Sequence, residues 1–249
     1  MQLTKNQIER YSRQIILKKV GIIGQKKLLG SSILIVGAGG LGSPIAIYLA
    51  AMGIGEIGII DNDYVELSNL SRQIIFTTSD IKKNKSTAAV NKLKKINPTI
   101  KLHYFKKKLT KKNIDTVSKK FDLIVDGSDN FKTRFLINDY CLKKRKILVS
   151  GAINKFDGQI YIFNFLKKKS PCLRCFIPQM PHDLDFDNCE YEGVLGPLGG
   201  VIGSIQANEI IKEILGIGNS LCGYILIFDA LKTNFRKIKL NKRSDCSCN

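Results

Sequence analysis

Several features that would define other classes of protein are missing from this chain of 249 residues. Its first segment, MQLTKNQIERYSRQ, has no apolar stretch of the kind that secretory signal peptides carry. The longest glycine-rich apolar run, 193–205, is too short to span a bilayer. We find no internal repeat and no low-complexity linker. These absences favour a globular, cytoplasmic protein without a membrane partner, and the length suits one large α/β domain.

Acidic residues are scarce, since 21 Asp and Glu stand against 40 Lys and Arg and give a formal net charge of +19. Such an excess can mark a surface that binds nucleic acid. Here the lysines occur in short runs along the whole chain, without interleaved aromatic residues and without a single basic helix. We therefore interpret them as solvated surface, which also suits an acidic protein or a polyphosphate. A nucleic-acid partner is not expected on this ground.

Disulfide bonds are not expected either, because the chain has seven cysteines, an odd number, and no sign of secretion. Cys172 and Cys175 form a C-x-x-C pair, and Cys246 and Cys248 form a C-x-C pair near the other end of the sequence. Four thiolates suit a tetrahedral structural Zn²⁺, which would staple the tail to the loop. The alternative for the first pair is a redox dithiol, but no thioredoxin-like sequence surrounds it.

The stretch around which the chain is organised is 32–63. An apolar β-branched run enters a glycine turn, a helix of small residues follows, and a second apolar run ends in Asp61. The glycines of the turn are Gly37, Gly39, Gly40 and Gly42. This order is that of a nucleotide-binding βαβ unit, in which glycines let the backbone approach a phosphate and the carboxylate accepts hydrogen bonds from a ribose. No G-x-x-x-x-G-K-[ST] motif competes with it.

Strands and helices continue to alternate up to residue 150, and from 151 the pattern becomes that of antiparallel strands and a glycine-rich helix over 201–215. Two short helices are predicted within 4–29. We expect a Rossmann-like, mostly parallel α/β sheet with helices on both faces, extended by antiparallel strands and a zinc-stapled C-terminal tail. The single domain divides into a nucleotide-binding half, 1–150, and a second half, 151–249.

Charged side chains follow the ends of the predicted strands, where ligands bind in open α/β sheets. Asp61 ends one strand, Arg72 lies in the long polar connection that follows, Lys85 opens the next helix, and Asp129 follows a buried strand. Cations stabilise the charge of a phosphoryl centre, and an aspartate can hold the Mg²⁺ that bridges phosphate oxygens. A NAD-dependent oxidoreductase needs no such cluster. The arrangement therefore favours ATP chemistry over hydride transfer.

Three further residues leave alternatives open. Arg13 is either a surface charge or a guanidinium that reaches a triphosphate. Cys189 is either a plain exposed thiol or a nucleophile, and its acidic neighbours would raise its pKa and weaken the second reading. His182, one of only two histidines, is either a base near Cys189 or a solvated loop residue.

Seven segments in order resemble the ThiF/MoeB/HesA family, the bacterial relatives of ubiquitin-activating enzymes. They are R-Y-S-R-Q, G-A-G-G-L-G, S-N-L-S-R-Q, the helix-opening Lys85, D-G-S-D-N, C-L-R-C and G-V-L-G-P-L-G-G-V-I-G. The resemblance covers essentially the whole chain. It implies an adenylyltransferase that uses ATP to adenylate the C-terminal Gly-Gly carboxylate of a ubiquitin-like sulfur carrier, of ThiS or MoaD type, with release of pyrophosphate. Whether the carrier serves thiamine or molybdopterin biosynthesis stays open.

The resemblance also implies roles for matching positions. Asp61 would bind the ribose, Arg72 and Lys85 the phosphates, and Asp129 with Asn130 would position Mg²⁺ and ATP. The nucleotide-binding set is then Gly37, Gly39, Gly40, Gly42, Asp61, Asp63, Ser68, Asn69, Arg72, Gln73, Lys85, Asp129 and Asn130. The catalytic set is Arg13, Arg72, Lys85, Asp129 and Cys189.

The remaining implications concern partners and the second half. The arginine that matches Arg13 acts in the other subunit's site, which implies a homodimer. Cys172, Cys175, Cys246 and Cys248 fall at the family's zinc positions, although C-x-C is shorter than the family pattern. Cys189 matches a loop cysteine that some members link covalently to the carrier, and 151–249 would bind that carrier. Sulfur transfer would need a persulfide donor such as a cysteine desulfurase. A tRNA-modifying member of the superfamily is the alternative.

Overall fold

One sheet of eight strands runs through the protein. A computed structural model describes residues 2–168, 170–180, 193–246 and 248. The strands are β1 (Ser32–Val36), β2 (Glu56–Ile60), β3 (Lys101–Phe105), β4 (Leu123–Asp126), β5 (Ile147–Asn154), β6 (Asp157–Asn164), β7 (Tyr224–Asp229) and β8 (Asn234–Lys239). Their spatial order is β3-β2-β1-β4-β5-β6-β7-β8. The first five are parallel, and β6, β7 and β8 each pair antiparallel with their neighbours. The predicted mixed α/β architecture is confirmed.

The helices cover both faces of this sheet. They are α1 (Lys5–Arg10), α2 (Ser12–Ile15), α3 (Gly21–Gly30), α4 (Gly42–Ala51), α5 (Lys85–Ile96), α6 (Ile114–Ser118), α7 (Phe131–Lys144), α8 (Leu173–Phe176) and α9 (Gly196–Leu215), with short 3-10 helices at Leu67–Ser71 and Thr78–Asp80. Along β1, Ile33 and Ile35 enter one apolar cluster while Leu34 and Val36 enter the other. Strands buried on both sides read as continuous apolar runs, which explains the sequence of β1.

Helix α9 begins five residues before the predicted start at 201, because tertiary contacts outweigh the low helix propensity of its glycines. Pro197 lies in the first turn, where a missing N–H costs nothing. A Cβ on Gly199 would lie 2.8 Å from the Gly40 carbonyl oxygen, and one on Gly203 would lie 2.5 Å from Pro44 Cγ. The glycines therefore let α9 pack closely on the glycine turn and on α4.

The N-terminal segment forms three helices rather than the two predicted. It is anchored at the C-terminal ends of α4 and α5, away from the glycine turn. Tyr11, between α1 and α2, is buried, and its hydroxyl accepts a hydrogen bond of 2.9 Å from Asn97 Nδ2. A Cβ on Gly53 would lie 2.5 Å from Tyr11 Cζ. Asn97 and Gly53 follow the C-terminal ends of α5 and α4, which fixes the segment there. Within the described residues, no helix is long and apolar enough to cross a membrane.

The contact between Gly58 on β2 and the ring of Phe121 should be intolerant of added volume. A Cβ on Gly58 would lie 2.4 Å from Phe121 Cζ, and Phe121 is fully buried. We expect Gly58→Ala to lower the free energy of unfolding by about 1–3 kcal/mol, because the ring must move within a packed core. Urea unfolding followed by circular dichroism measures it.

Gly30→Ala is the matched control, because a Cβ at this helical position would meet no atom within 4 Å. It should leave stability unchanged or raise it by up to about 1 kcal/mol. Equal effects of the two substitutions would contradict the packing argument.

Candidate nucleotide site and cysteine cluster

The glycine turn lies where the strand order reverses, between β1 and β4. Gly37 has φ of +90°, and a Cβ there would lie 2.9 Å from the Gly127 carbonyl oxygen in the turn after β4. A Cβ on Gly42 would lie 2.0 Å from the Gly37 carbonyl oxygen. Leu41, the N-cap of α4, makes no side-chain cap. The turn therefore offers uncapped helix-terminal N–H groups at the position where open α/β sheets bind phosphates.

Asp61 is held against this turn at the end of β2. Its Oδ2 accepts a hydrogen bond from Ala38 N and its Oδ1 one from Asp63 N, both of 2.8 Å. Burial raises the pKa of Asp61 above its usual value, and the two amide hydrogen bonds oppose that effect only in part. The carboxylate is thus oriented by the backbone and keeps lone pairs for hydroxyl donors.

The connection after β2 brings Arg72 and Gln73 over the glycine turn. A Cβ on Gly40 would lie 3.7 Å from Arg72 Cγ, and Arg72 Nη1 donates to the Ser68 carbonyl at 3.3 Å. Gln73 is 3% exposed, and its Nε2 would lie 3.8 Å from a Cβ on Gly39. Among the described residues Gln73 Oε1 has no hydrogen-bond partner. A buried amide oxygen without a partner beside the turn is a candidate contact for a ligand donor.

The same connection is built on Asn69, which is buried. Its Oδ1 accepts from Glu66 N at 3.2 Å and closes a capping box on the first 3-10 helix. Its Nδ2 donates to Ser68 Oγ at 3.5 Å, and Ser68 is exposed. Asn69 therefore shapes the loop, while Ser68 faces outward.

Lys85, the first residue of α5, is an ammonium that the fold leaves poorly compensated. The residue is 8% exposed, and Nζ lies 3.4 Å from Oδ2 of Asp63, whose own side chain is 61% exposed. Asn84 fixes the start of the helix, because its Nδ2 donates to the carbonyls of Asp61 at 3.2 Å and Asp63 at 3.0 Å. A nearly buried charge with one solvated partner favours an additional anion beside it.

Asp129 and Asn130 lie in the turn after β4, which touches the glycine turn through Gly127. Asn130 caps α7 by accepting from Thr133 N at 2.9 Å, and its Nδ2 donates to Asp129 Oδ1 at 3.2 Å. Asp129 is exposed. The oxygen of Asn130 is therefore used by the helix, whereas the carboxylate of Asp129 remains open to a cation.

Sequence reasoning missed the support of this turn. Asp126 is 1% exposed and accepts hydrogen bonds from Ser128 N at 3.0 Å, Ser128 Oγ at 2.6 Å and Ser150 Oγ at 2.7 Å. The signal that could have found it is a carboxylate at the end of a buried strand, which needs hydrogen-bond partners. Sequence reasoning also missed that the first turn of α9 contacts this site. A Cβ on Gly196 would lie 2.4 Å from the Ser71 carbonyl oxygen, in the connection after β2.

The structure places one predicted catalytic residue, Arg13, away from this site. Arg13 lies in α2, and its neighbour Gln14 donates to the Met52 carbonyl at 2.8 Å, at the C-terminal end of α4. The ten residues of α4, about 15 Å of helix, separate that end from the glycine turn. Cys189, together with His182, lies outside the described residues.

The four cysteines of the predicted metal site meet in space. All four Sγ atoms lie within 4.8 Å of one another, with 3.5 Å between Cys172 and Cys246 and 3.4 Å between Cys175 and Cys248. The edge of a tetrahedral zinc–thiolate site is about 3.8 Å, given Zn–S bonds of about 2.3 Å. Cys172 and Cys175 are buried. The donor set and its spacing fit a structural Zn²⁺, and the short C-x-C segment does not prevent it.

Fold and site together define a class, namely a nucleotide-binding open α/β protein with a four-cysteine cluster that joins its tail to the sheet. The ThiF family matches residues 11–249, and the chain belongs to this family. The family expected from the sequence motifs is thus confirmed.

Two relatives and one solved structure illustrate the likeness. The chain is 41% identical over 249 residues to the sulfur carrier protein adenylyltransferase of Thermus thermophilus, covering 99% of this chain and 92% of that protein. It is 45% identical over 245 residues to the adenylyltransferase and sulfurtransferase MOCS3 of Culex quinquefasciatus, covering 98% of this chain and 56% of that protein. The chain thus spans about half the length of the MOCS3 relatives.

The crystal structure of E. coli MccB with ATP superposes with a TM-score of 0.84 at 24% identity, covering 96% of this chain and 73% of that chain. At this identity the likeness concerns the fold.

The carboxylate of Asp80, near the end of the connection after β2, makes the free energy of unfolding depend on pH. Burial raises the pKa of Asp80, but hydrogen bonds from Thr77 and Lys83 and the charge of Lys92 outweigh it and lower the pKa from 3.8 to about 2. Because the folded pKa is depressed, this stabilisation is present above pH 3.8 and is lost as the pH falls through about 2. We expect Asp80→Asn to lower the free energy of unfolding by about 1–3 kcal/mol at pH 7.

Urea unfolding of Asp80→Asn and the parent protein between pH 7 and pH 2 measures this difference, which should shrink towards the acid end. Asp157→Asn, at an exposed position on β6, is the control and should change stability by less than about 0.5 kcal/mol. A deficit of Asp80→Asn that is the same at every pH would contradict the electrostatic account.

Proposed function

We propose that this chain uses ATP to adenylate the C-terminal carboxylate of a ubiquitin-like sulfur-carrier protein of the ThiS or MoaD type, with release of pyrophosphate. The observation that carries the proposal is the nearly buried Lys85 ammonium, whose ion-pair partner at 3.4 Å, Asp63, has a side chain that is itself 61% exposed. Family membership and the names of the Thermus and Culex relatives support the reaction type. Thiamine and molybdopterin biosynthesis both remain open as the pathway.

The nucleotide would bind across the glycine turn. Asp61 would accept hydrogen bonds from the ribose, because two backbone amides already orient its carboxylate. Arg72 and Lys85 would contact the phosphates together with the N–H groups at the start of α4, and the free amide oxygen of Gln73 would accept a further hydrogen bond. Asp129 is an oxygen donor suited to Mg²⁺, and that ion would neutralise charge on the triphosphate.

The reaction needs alignment and charge neutralisation rather than a side-chain nucleophile. A carboxylate oxygen of the carrier attacks the α-phosphorus of ATP and forms a new P–O bond. The bond from that phosphorus to the bridging oxygen of pyrophosphate breaks, and the electron pair leaves with pyrophosphate. The product is a mixed anhydride of the carrier and AMP. Arg72 and Lys85 stabilise the negative charge that the leaving group gains.

We propose the second half, 151–249, as the surface that receives the carrier. The four-cysteine cluster would bind Zn²⁺ and hold the tail against this half. Cys189 would form a covalent link to the activated carrier, and the sulfur would come from a persulfide donor such as a cysteine desulfurase. A cytoplasmic location stays a prediction.

We further propose a homodimer in which Arg13 completes the partner subunit's site. Arg13 lies at the opposite end of α4 from its own glycine turn, so it cannot serve that turn. Next to it, Ile16, Leu17, Ile22 and Ile23 expose 68%, 55%, 50% and 76% of their surface. An apolar surface of this kind is suited to burial against a second copy. Such a contact would also bring Arg13 to the neighbouring protomer.

Exchange of radiolabelled pyrophosphate into ATP tests the proposed reaction. We expect exchange only when a ThiS-type or a MoaD-type carrier with an intact terminal Gly-Gly is present. Lys85→Met should reduce the rate by at least about 100-fold, because it removes charge stabilisation at the phosphates. Lys94→Met, at an exposed position on the same helix, is the control and should leave the rate unchanged.

Absence of exchange with both carriers in a folded sample would contradict adenylation of such a carrier. The tRNA-modifying alternative would then be examined by salt-dependent tRNA binding, and the oxidoreductase alternative by nicotinamide cofactor binding.

Mixing two inactive variants tests the shared site. Arg13→Ala and Lys85→Met should each be inactive alone, since every site in either homodimer lacks one residue. After subunit exchange at equal amounts, about a quarter of the parent activity should return, because half of the dimers are mixed and each holds one intact site. No recovery in mixtures that native mass spectrometry shows to contain mixed dimers would contradict the arrangement.

A further inference from the structure

Helix α7 contacts the two residues that lie between Cys172 and Cys175. Leu173 N donates a hydrogen bond of 2.8 Å to Oδ1 of Asn138, which is fully buried in the middle of α7. Asn138 Nδ2 in turn donates to Asp139 Oδ1 at 3.0 Å. The backbone of the C-x-x-C segment is thus attached to a long helix of the core rather than to another loop.

Arg174, the other intervening residue, makes a second and stronger attachment. Its Nε and Nη2 donate to the two carboxylate oxygens of Asp139 at 2.9 and 2.8 Å. The guanidinium carbon also lies 4.7 Å from the centre of the Phe135 ring. Exposed ion pairs contribute little in general, but bidentate geometry over an aromatic ring is the exception, because it fixes the orientation of the guanidinium. We call Asn138, Asp139 and Arg174 the α7 clamp.

The other half of the cluster also contacts the core, because Cys246 and Cys248 pack against the apolar cluster that contains Cys172 and Cys175. Cys246 and Cys248 belong to the tail, where Arg243 pairs with Asp245 two residues away and Lys242 Nζ donates to the Lys168 carbonyl at 3.3 Å. The hydrogen bonds to α7 described above all come from the C-x-x-C half of the site.

We propose that the α7 clamp consists of positioning residues for the metal, which hold Cys172 and Cys175 in the geometry that the metal requires. This inference rests on the proposed zinc site. Four thiolates around Zn²⁺ carry a net charge of −2, and the guanidinium of Arg174 offsets part of it. Groups that orient ligands in this way typically contribute 10- to 100-fold to metal affinity.

The test is the dissociation constant for Zn²⁺, measured on the full chain by competition with a chromophoric chelator. Asp139→Asn and Arg174→Met should each weaken zinc binding by about 10- to 100-fold. Because both remove the same contact, the double variant should bind Zn²⁺ with the affinity of the single variant that binds it less tightly. Arg174→Lys keeps the charge but not the bidentate contact, and it should fall between the parent and Arg174→Met.

Asp115→Asn is the matched control on the neighbouring helix α6. It removes an exposed ion pair of 2.8 Å with Lys144 of α7 without touching the C-x-x-C segment, so its zinc affinity should equal that of the parent. Affinities of Asp139→Asn and Arg174→Met within twofold of the parent would overturn the inference, and so would an equal loss in the control. Failure of the parent protein to bind Zn²⁺ would instead reject the proposed metal site.

Discussion

Backbone contact between two glycine turns is the constraint on which the rest of the site depends. Gly37 lies against the carbonyl of Gly127, and Gly42 lies against the carbonyl of Gly37, with no space for a Cβ at either position. This contact lies at the crevice between β1 and β4, where the strand order reverses. It places the start of α4, the carboxylate of Asp61 and the turn with Asp129 around one volume. A side chain at Gly37 or Gly42 would separate them.

Around that volume the charges are unevenly compensated. Asp126 is satisfied by two serine residues and acts as a fixed support, whereas Asp61 is oriented by two backbone amides and keeps lone pairs for further donors. Lys85 is nearly buried while its ion-pair partner Asp63 is largely exposed, and the buried Gln73 Oε1 has no hydrogen-bond partner among the described residues. In the proposed complex the triphosphate would add negative charge beside Lys85, and a hydroxyl group of the nucleotide would donate to Gln73 Oε1. At the cysteine cluster, the C-x-x-C half is held by hydrogen bonds and an ion pair to α7.

Local patterns predicted the parts of the protein that local chemistry decides. The glycine turn, Asp61 at a strand end and Lys85 at a helix start could be read from the sequence, because each depends on neighbours within a few residues. The start of α9 was predicted too late, since its glycines pack on Gly40 and Pro44, far away in the chain. The third N-terminal helix was missed for a similar reason, as Tyr11 is fixed by Asn97 and Gly53. Contacts between Arg174 and Asp139 join residues 35 apart, so no sequence pattern indicates them.

The central claim is that a carboxylate oxygen of the carrier attacks the α-phosphorus of ATP, and oxygen labelling tests it most directly. A carrier with ¹⁸O at both oxygens of its terminal carboxylate is incubated with the protein and ATP in unlabelled water. Hydroxylamine then cleaves the acyl adenylate, and the AMP is analysed by mass spectrometry. The account predicts one ¹⁸O atom in each AMP, because the attacking carboxylate oxygen stays with phosphorus when the C–O bond breaks. AMP without ¹⁸O would show that its new oxygen came from water, and this would contradict adenylation of the carrier.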